Sequence, residues 1–391
     1  MMAALAARVA SRFHSLGETT WERVLGLPKA CLDFSRARLL GLPKAWLASP
    51  VVNGLGGLVA RHYLYSPASR QDAGRRKLLI LRNRYYSGDR NVPSNELLLL
   101  DNTLRASGLA DHEVLTYDSD LGISPYSDLQ LIRKCSEMRP DIVVFSSWWS
   151  NLTHPSVEAL RFVRQRLGIP VAMIWWDTCN YGFWPFIAPY IEAIDLHVVA
   201  ENPRGHCLDK SHPLFDRFLL LWSPTDPALF HVADGPRDIP ASFVGRATAY
   251  RSYRREFVQY LCDQGIPGHF SYSDGAGLVS HAQYAETIRR SQMCVNFSFS
   301  VDAHQFKGRV LEIMLSGALL LESENDQTSM LFTPMQDYVP FSSKEDLVSK
   351  IRYLQAHPDE LAAIALNGTR KAQALYSGKT FWETIFRKVG L

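Results

Sequence analysis

Positive charge gathers where a helix should begin. His304, Lys307 and Arg309 lie in or just before the first turn of a helical pattern that runs from about Phe306 to Ser316. Cations at a helix N-terminus oppose the macrodipole, so they need another reason to be there. An anion is one such reason, because unpaired N–H groups and positive side chains both suit phosphate. Glu312 follows one turn later, where a carboxylate could accept hydrogen bonds from sugar hydroxyls. A solvated helix end beside a packed αβ unit fits the same residues, and the residue types leave both readings open. A second cluster has the same form. Ser242-Phe243-Val244-Gly245-Arg246 reads as a strand ending in glycine, and a helix from about Tyr250 to Asp263 opens with Arg251, Arg254 and Arg255. A surface arginine cluster is the alternative there.

The elements that must position these residues alternate regularly. Strands are expected at Leu78–Leu81, Glu113–Tyr117, Asp141–Phe145, Val171–Ile174 and Asp195–Ala200. Helices are expected between them at Pro93–Arg105, Leu129–Met138 and His154–Leu167. Such alternation means a parallel sheet covered on both faces. Ligands of such sheets bind at the carboxyl ends of the strands. One strand here exits into Ser146-Ser147-Trp148-Trp149-Ser150-Asn151. Another exits into Trp175-Trp176-Asp177-Thr178, with Tyr181, Phe183 and Trp184 soon after. Aromatic faces beside hydroxyls and a carboxylate suit a sugar or a lipid-linked acceptor, and packing against neighbouring helices is the alternative. Asp177 could act as a general base toward an acceptor hydroxyl or simply cap a helix.

A second αβ series follows Phe218–Trp222. Residues 223–240, with Pro236 and Pro240, read as a linker. Strands are expected at Ser242–Arg246, His269–Tyr272, Met293–Phe297 and Ala318–Leu321. Helices are expected at Tyr284–Ser291, Ser343–Ala356, Pro358–Tyr376 and Thr380–Lys388. Gly317 stops the helix that begins near Phe306.

This second series resembles the nucleotide-sugar half of GT-B glycosyltransferases, and most closely the spore-maturation-protein (CgeB-like) branch. There an Arg-x-x-Glu helix precedes a small residue, a glycine and an apolar strand. Arg309, Glu312, Gly317 and Leu319 to Leu321 match that pattern, as do Tyr338-Val339-Pro340-Phe341, Glu345-Asp346-Leu347, His357-Pro358-Asp359-Glu360 and Asn367-Gly368. The resemblance spans residues 241–368 well and 78–386 loosely. It implies two Rossmann-like domains facing across a cleft, with the acceptor domain at 78–222 and the donor domain at 241–379. A C-terminal helix at 380–391 would cross back to the first domain. It implies a hexosyltransferase-type enzyme acting on a nucleotide-sugar donor and a glycan or lipid-linked acceptor. Carried over, Glu312 holds the ribose, and the position that touches the donor sugar falls on His304. Arg246, Arg251 and Lys307 sit on the diphosphate with Arg309, and Gly245 and Gly317 complete the donor set. Trp149, Trp176 and Trp184 line the acceptor side, and Asp177 is the base if the reaction inverts. No metal is expected, because cations and helix N-termini can take its place. A sugar-nucleotide epimerase on the same scaffold, or a glycan- or membrane-binding scaffold without activity, are the rival readings.

Composition narrows the classes. Hydrophobic residues make up 47% of the 391, which suits globular domains with real cores. A net charge of +3 gives no general case for nucleic acid. The six cysteines include no Cys-x-x-Cys pair, which fits a reducing, cytoplasmic setting. Residues 1–77 stand apart, with 12 Lys/Arg against 4 Asp/Glu. They repeat Arg23-Val24-Leu25-Gly26-Leu27-Pro28-Lys29-Ala30 as Arg38-Leu39-Leu40-Gly41-Leu42-Pro43-Lys44-Ala45. Short basic helices carrying Trp21 and Trp46 suit an anionic membrane surface, with packing on the main body or a transit peptide as alternatives. The other chemical signatures are weak. Asp118-Ser119-Asp120 reads as a turn rather than a manganese motif. His206-Cys207 has the wrong spacing for a metal on a helix. Gly54-Leu55-Gly56 follows no strand.

Overall fold

Leu78, Leu79, Ile80 and Leu81 are all fully buried, as consecutive apolar residues must be in a strand covered on both faces. They form β1 (Lys77–Arg82) in a computed structural model that describes residues 75–86, 89–116, 124–147, 155–176, 188–199, 215–247, 252–273, 279–298 and 306–391, together with Ala60. The basic repeat of the first 77 residues, Asp118-Ser119-Asp120 and His206-Cys207 lie outside the described residues.

After β1, a two-stranded antiparallel ribbon forms from β2 (Tyr85–Tyr86) and β3 (Asp89–Pro93). Pro93 therefore closes a strand, where its missing N–H matters little, and does not open the helix expected there. Helical structure begins after Ser94, as a π turn over Leu97–Asn102 that runs into α1 (Thr103–Ser107). Then come β4 (Asp111–Thr116), α2 (Ser124–Met138) and β5 (Ile142–Ser147). They are followed by α3 (Val157–Arg161), β6 (Val171–Trp175), β7 (Leu196–Val199) and β8 (Phe218–Leu220). Ser156 caps α3 by accepting from the Ala159 N–H, and from Phe162 the helix continues as a π turn. The six strands form one parallel sheet in the order β4-β1-β5-β6-β7-β8.

Ile239 opens a second sheet, two residues before the boundary expected from the prolines. Its elements are β9 (Ile239–Arg246), α4 (Ser252–Asp263), β10 (His269–Ser273), α5 (His281–Arg290), β11 (Ser291–Asn296) and α6 (Gly308–Leu315). β12 (Leu319–Ser323), α7 (Asp326–Ser329), β13 (Val339–Phe341), α8 (Lys344–Ala356), α9 (Pro358–Leu375) and α10 (Gly378–Lys388) complete it. The five strands are parallel in the order β10-β9-β11-β12-β13.

The last helix leaves its own sheet and returns to the first. Fully buried Trp382 on α10 donates its indole N–H to Thr103 Oγ1 on α1 at 3.0 Å. Asn102 donates to Asp226 at 2.7 Å, and the Tyr376 hydroxyl donates to the Trp222 carbonyl. One apolar cluster joins Leu78 and Ile80 of the first sheet to Val310 and Leu320 of the second through Phe381, Trp382 and Phe386. Among the described residues, no helix is long and apolar enough to cross a membrane.

Candidate donor site at the carboxyl end of the second sheet

The second sheet reverses its strand order at β9. From β9 the chain goes to β10 on one side, then to β11 on the other. The residue pairing of β9 with β11 ends at Ser242 opposite Cys294, although each strand runs further. Their carboxyl ends therefore part, and such a switch point is where open α/β sheets bind ligands. Gly245, Arg246 and Ala247 form one lip of this crevice, and Asn296 to Ser298 form the other.

α6 points its N-terminus at this edge. Lys307 is its N-cap, in extended backbone, and its own side chain does not cap the first turn. Arg309 lies one residue into the helix and reaches back to β9. Its guanidinium carbon stands 5.6 Å from the centre of the Phe243 ring and 5.5 Å from that of Tyr284. Its Nε donates to the Tyr284 hydroxyl at 2.9 Å, and that hydroxyl donates to Glu312 Oε2 at 2.6 Å. Arg309, Tyr284 and Glu312 thus form one relay. Burial raises the Glu312 carboxyl above its usual range, while the Tyr284 hydrogen bond and the Arg309 charge pull it back down. Burial also holds the Tyr284 hydroxyl well above its ordinary value, so it stays a donor. Gly245 leaves room for the arginine: a Cβ there would stand 3.0 Å from Arg309 Nη1 and 3.0 Å from Phe243 Cζ. At Gly308 an added Cβ would lie 3.4 Å from Ser223 Cβ, so the site borders the segment between the two sheets.

The structure brings Gly245, Arg246, Lys307, Arg309 and Glu312 together at this edge. Gly317 belongs elsewhere and is corrected. It sits past the far end of α6, before β12, with φ +78°, and Arg237 Nη2 would lie 2.6 Å from an added Cβ. That guanidinium donates to the carbonyls of Arg289, Ser291 and Ser316, so the glycine ends a helix and admits a structural arginine. Trp176 is also corrected. It is 7% exposed, packs in the apolar core, and spends its indole N–H on Ser146 Oγ at 2.8 Å. Ser146 in turn donates to buried Glu96 at 2.7 Å. Trp149, Asp177, Trp184, Arg251 and His304 lie outside the described residues.

Two participants escaped the sequence reading. In the sequence Tyr284 marks only the start of a helix. The pair Ser280 and Gln283 forms a capping box that starts α5 at His281 and sets Tyr284 in its first turn. Glu322, fully buried at the end of β12, accepts from Asn296 Nδ2 at 2.7 Å and from the Ser298 N–H at 2.9 Å. Its place as the one acid ending an apolar strand was the available signal.

Comparison with known proteins agrees with this layout. Residues 251–387 match a family model described as glycosyl transferase-like. No curated protein sequence matches the chain. Among solved structures, a sucrose-phosphate synthase from Thermosynechococcus elongatus superposes with TM-score 0.58 at 12% identity, over 81% of this chain and 99% of its own. Anabaena HepE in complex with UDP and glucose gives 0.54 at 12%, over 81% and 99%. A glycosyltransferase from Rickettsia africae gives 0.56 at 12%, over 81% and 99%. The fold is GT-B, with two Rossmann-like units.

Proposed function

We propose that the chain transfers a sugar from a nucleotide-diphosphate donor to an acceptor hydroxyl on a glycan or lipid-linked substrate. The observation that carries this reading is the Arg309–Tyr284–Glu312 relay at the N-terminus of α6, placed at the switch point of the second sheet. Glu312, fixed by Tyr284, binds the ribose hydroxyls. Lys307, Arg309 and Arg246 and the first N–H groups of α6 face the diphosphate. They stabilise the charge that builds on it as the glycosidic bond breaks, where electrostatic help counts most. With that many fixed positive groups the leaving group needs no metal. His304 faces the transferred sugar, Arg251 adds to the diphosphate site, and Asp177 takes the acceptor proton. Trp149 and Trp184 line the acceptor side. The basic segment 1–77 holds the enzyme on an anionic membrane surface. Uridine diphosphate is the first nucleotide to test, since HepE was solved with UDP and glucose.

The test is release of nucleoside diphosphate from a panel of sugar nucleotides, with candidate acceptors and EDTA, by wild type and Arg309→Ala. Acceptor-dependent release that survives EDTA and is lost in the variant is expected. Conversion of the donor without any acceptor would instead point to an epimerase. Lipid binding is checked by co-sedimentation with phosphatidylserine vesicles, expected for the full chain and lost on removal of residues 1–74, which leaves β1 whole.

A further inference from the structure

We propose that Arg254 is a positioning residue that sets the separation of the two lips of the crevice between β9 and β11. It lies in the first turn of α4 and is 4% exposed. By sequence it belongs with the arginines that could meet an anion. The geometry gives it another task. Its Nη1 donates to the Arg246 carbonyl at 3.3 Å and its Nη2 to the Phe297 carbonyl at 3.2 Å. Those carbonyls stand on opposite lips, beyond the point where β9 and β11 cease to pair. A guanidinium is planar and rigid, so one group bonded to both carbonyls fixes the distance between them. The Tyr253 and Phe297 rings lie 5.8 and 5.9 Å from its central carbon.

The second lip is held from its other side as well. Glu322 accepts the Ser298 N–H at 2.9 Å. The Phe297 carbonyl and the Ser298 N–H belong to one peptide group, so a buried guanidinium grips one end of it and a buried carboxyl the other. Burying such polar groups costs free energy unless they are well bonded. Two of them on one peptide imply that its position matters to something beside it. The first lip carries Arg246, and Gly245 there abuts the Arg309 guanidinium. Arg254 thus determines where the diphosphate-facing cations stand relative to the opposite lip. The consequence for binding rests on the donor reading above, whereas the spacing itself does not.

Arg254→Lys separates charge from geometry, since one ammonium cannot reproduce a rigid two-nitrogen bridge. Arg255→Lys is the control: Arg255 is exposed on the same helix and bonds only one lip, through the Ala247 carbonyl. Binding of ADP, CDP, GDP, TDP and UDP is measured by calorimetry, and amide exchange is followed at Ser298. For Arg254→Lys the expected result is an unchanged circular-dichroism spectrum, about tenfold weaker binding of the nucleotide that wild type prefers, and about tenfold faster exchange at Ser298. Arg255→Lys should match wild type in both. Glu322→Gln, which loosens the same peptide from the other side, should also speed exchange at Ser298, and it serves if the lysine variant does not fold. Wild-type binding and exchange in Arg254→Lys would overturn the proposal. Should wild type bind none of the five nucleotides, the donor reading fails. Exchange at Ser298 then decides the spacing role alone, upheld if faster in Arg254→Lys and rejected if not.

Discussion

Tyr284 touches two charged members of the candidate site, Arg309 and Glu312, and carries no charge itself. Its hydroxyl accepts a hydrogen bond from Arg309 and donates one to Glu312. Tyr284→Phe keeps the ring and removes both bonds. A hydrogen bond to a charged group is worth about 1.5–3 kcal/mol, so nucleotide binding should weaken about tenfold or more. The lost hydrogen bond should also raise the Glu312 carboxyl further, because that bond now lowers it. The acid limb of binding against pH should therefore move to higher pH in Tyr284→Phe, and an unmoved limb would show that Tyr284 only packs. Glu322 makes a second prediction. Burial pushes its carboxyl from 4.5 up to about 7, and its hydrogen bonds only partly offset this. A carboxyl raised in the folded state favours the protonated protein. Its stabilising contribution is present below pH 4.5 and is lost as pH rises toward 7, by roughly 3 kcal/mol in all. Denaturation of wild type and Glu322→Gln between pH 4.5 and 7.5 should show the variant losing less stability over that window. Parallel curves would contradict the assignment.

At the level of elements, the two candidate glycines part company. Gly245 ends β9 beside Arg309, and a methyl there would press on the guanidinium and on Phe243. Gly245→Ala should leave the protein folded and blunt its response to nucleotide. Gly317 has positive φ and seats Arg237, so Gly317→Ala should cost about 1–2 kcal/mol of stability with nucleotide affinity unchanged. Melting curves with and without nucleotide separate the two. The glycine that stops a helix is visible in sequence, but the end of the helix it serves is not the end proposed to meet the donor. The apolar runs of β1, β6 and β12 were legible because burial on both faces demands unbroken apolar residues. The Pro93 helix and the Trp176 face were misread. A proline suits a strand end as well as a helix start, and a tryptophan at a strand exit looks the same whether it faces solvent or core. Arg254 shows the same limit. Its charge and its place in the first turn are in the sequence, while the two carbonyls it bridges lie 8 and 43 positions away.

At the scale of the molecule, the two sheets are tied by the returning C-terminal helix. Trp382 is fully buried against α1, and its indole N–H is spent on Thr103. Trp382→Ala should cost about 3–5 kcal/mol through the cavity it leaves, and Trp382→Phe should cost less. Because α10 joins both units, chemical denaturation is expected to show one transition for wild type and two for the alanine variant, and a single transition in the variant would show that other contacts suffice. The alternation of strands and helices made the two-unit plan readable, and the GT-B resemblance supplied the return of the last helix. If α6 and the crevice beside β9 form a nucleotide-diphosphate site, a thermal-shift panel of nucleoside diphosphates with EDTA, on wild type and Arg309→Ala, will show it. A ligand at about a hundred times its dissociation constant adds about 2.7 kcal/mol of stability. A chelator-insensitive rise is expected in wild type, with one base preferred, and none in Arg309→Ala; no rise with any nucleotide, or an equal rise in the variant, would rule the site out.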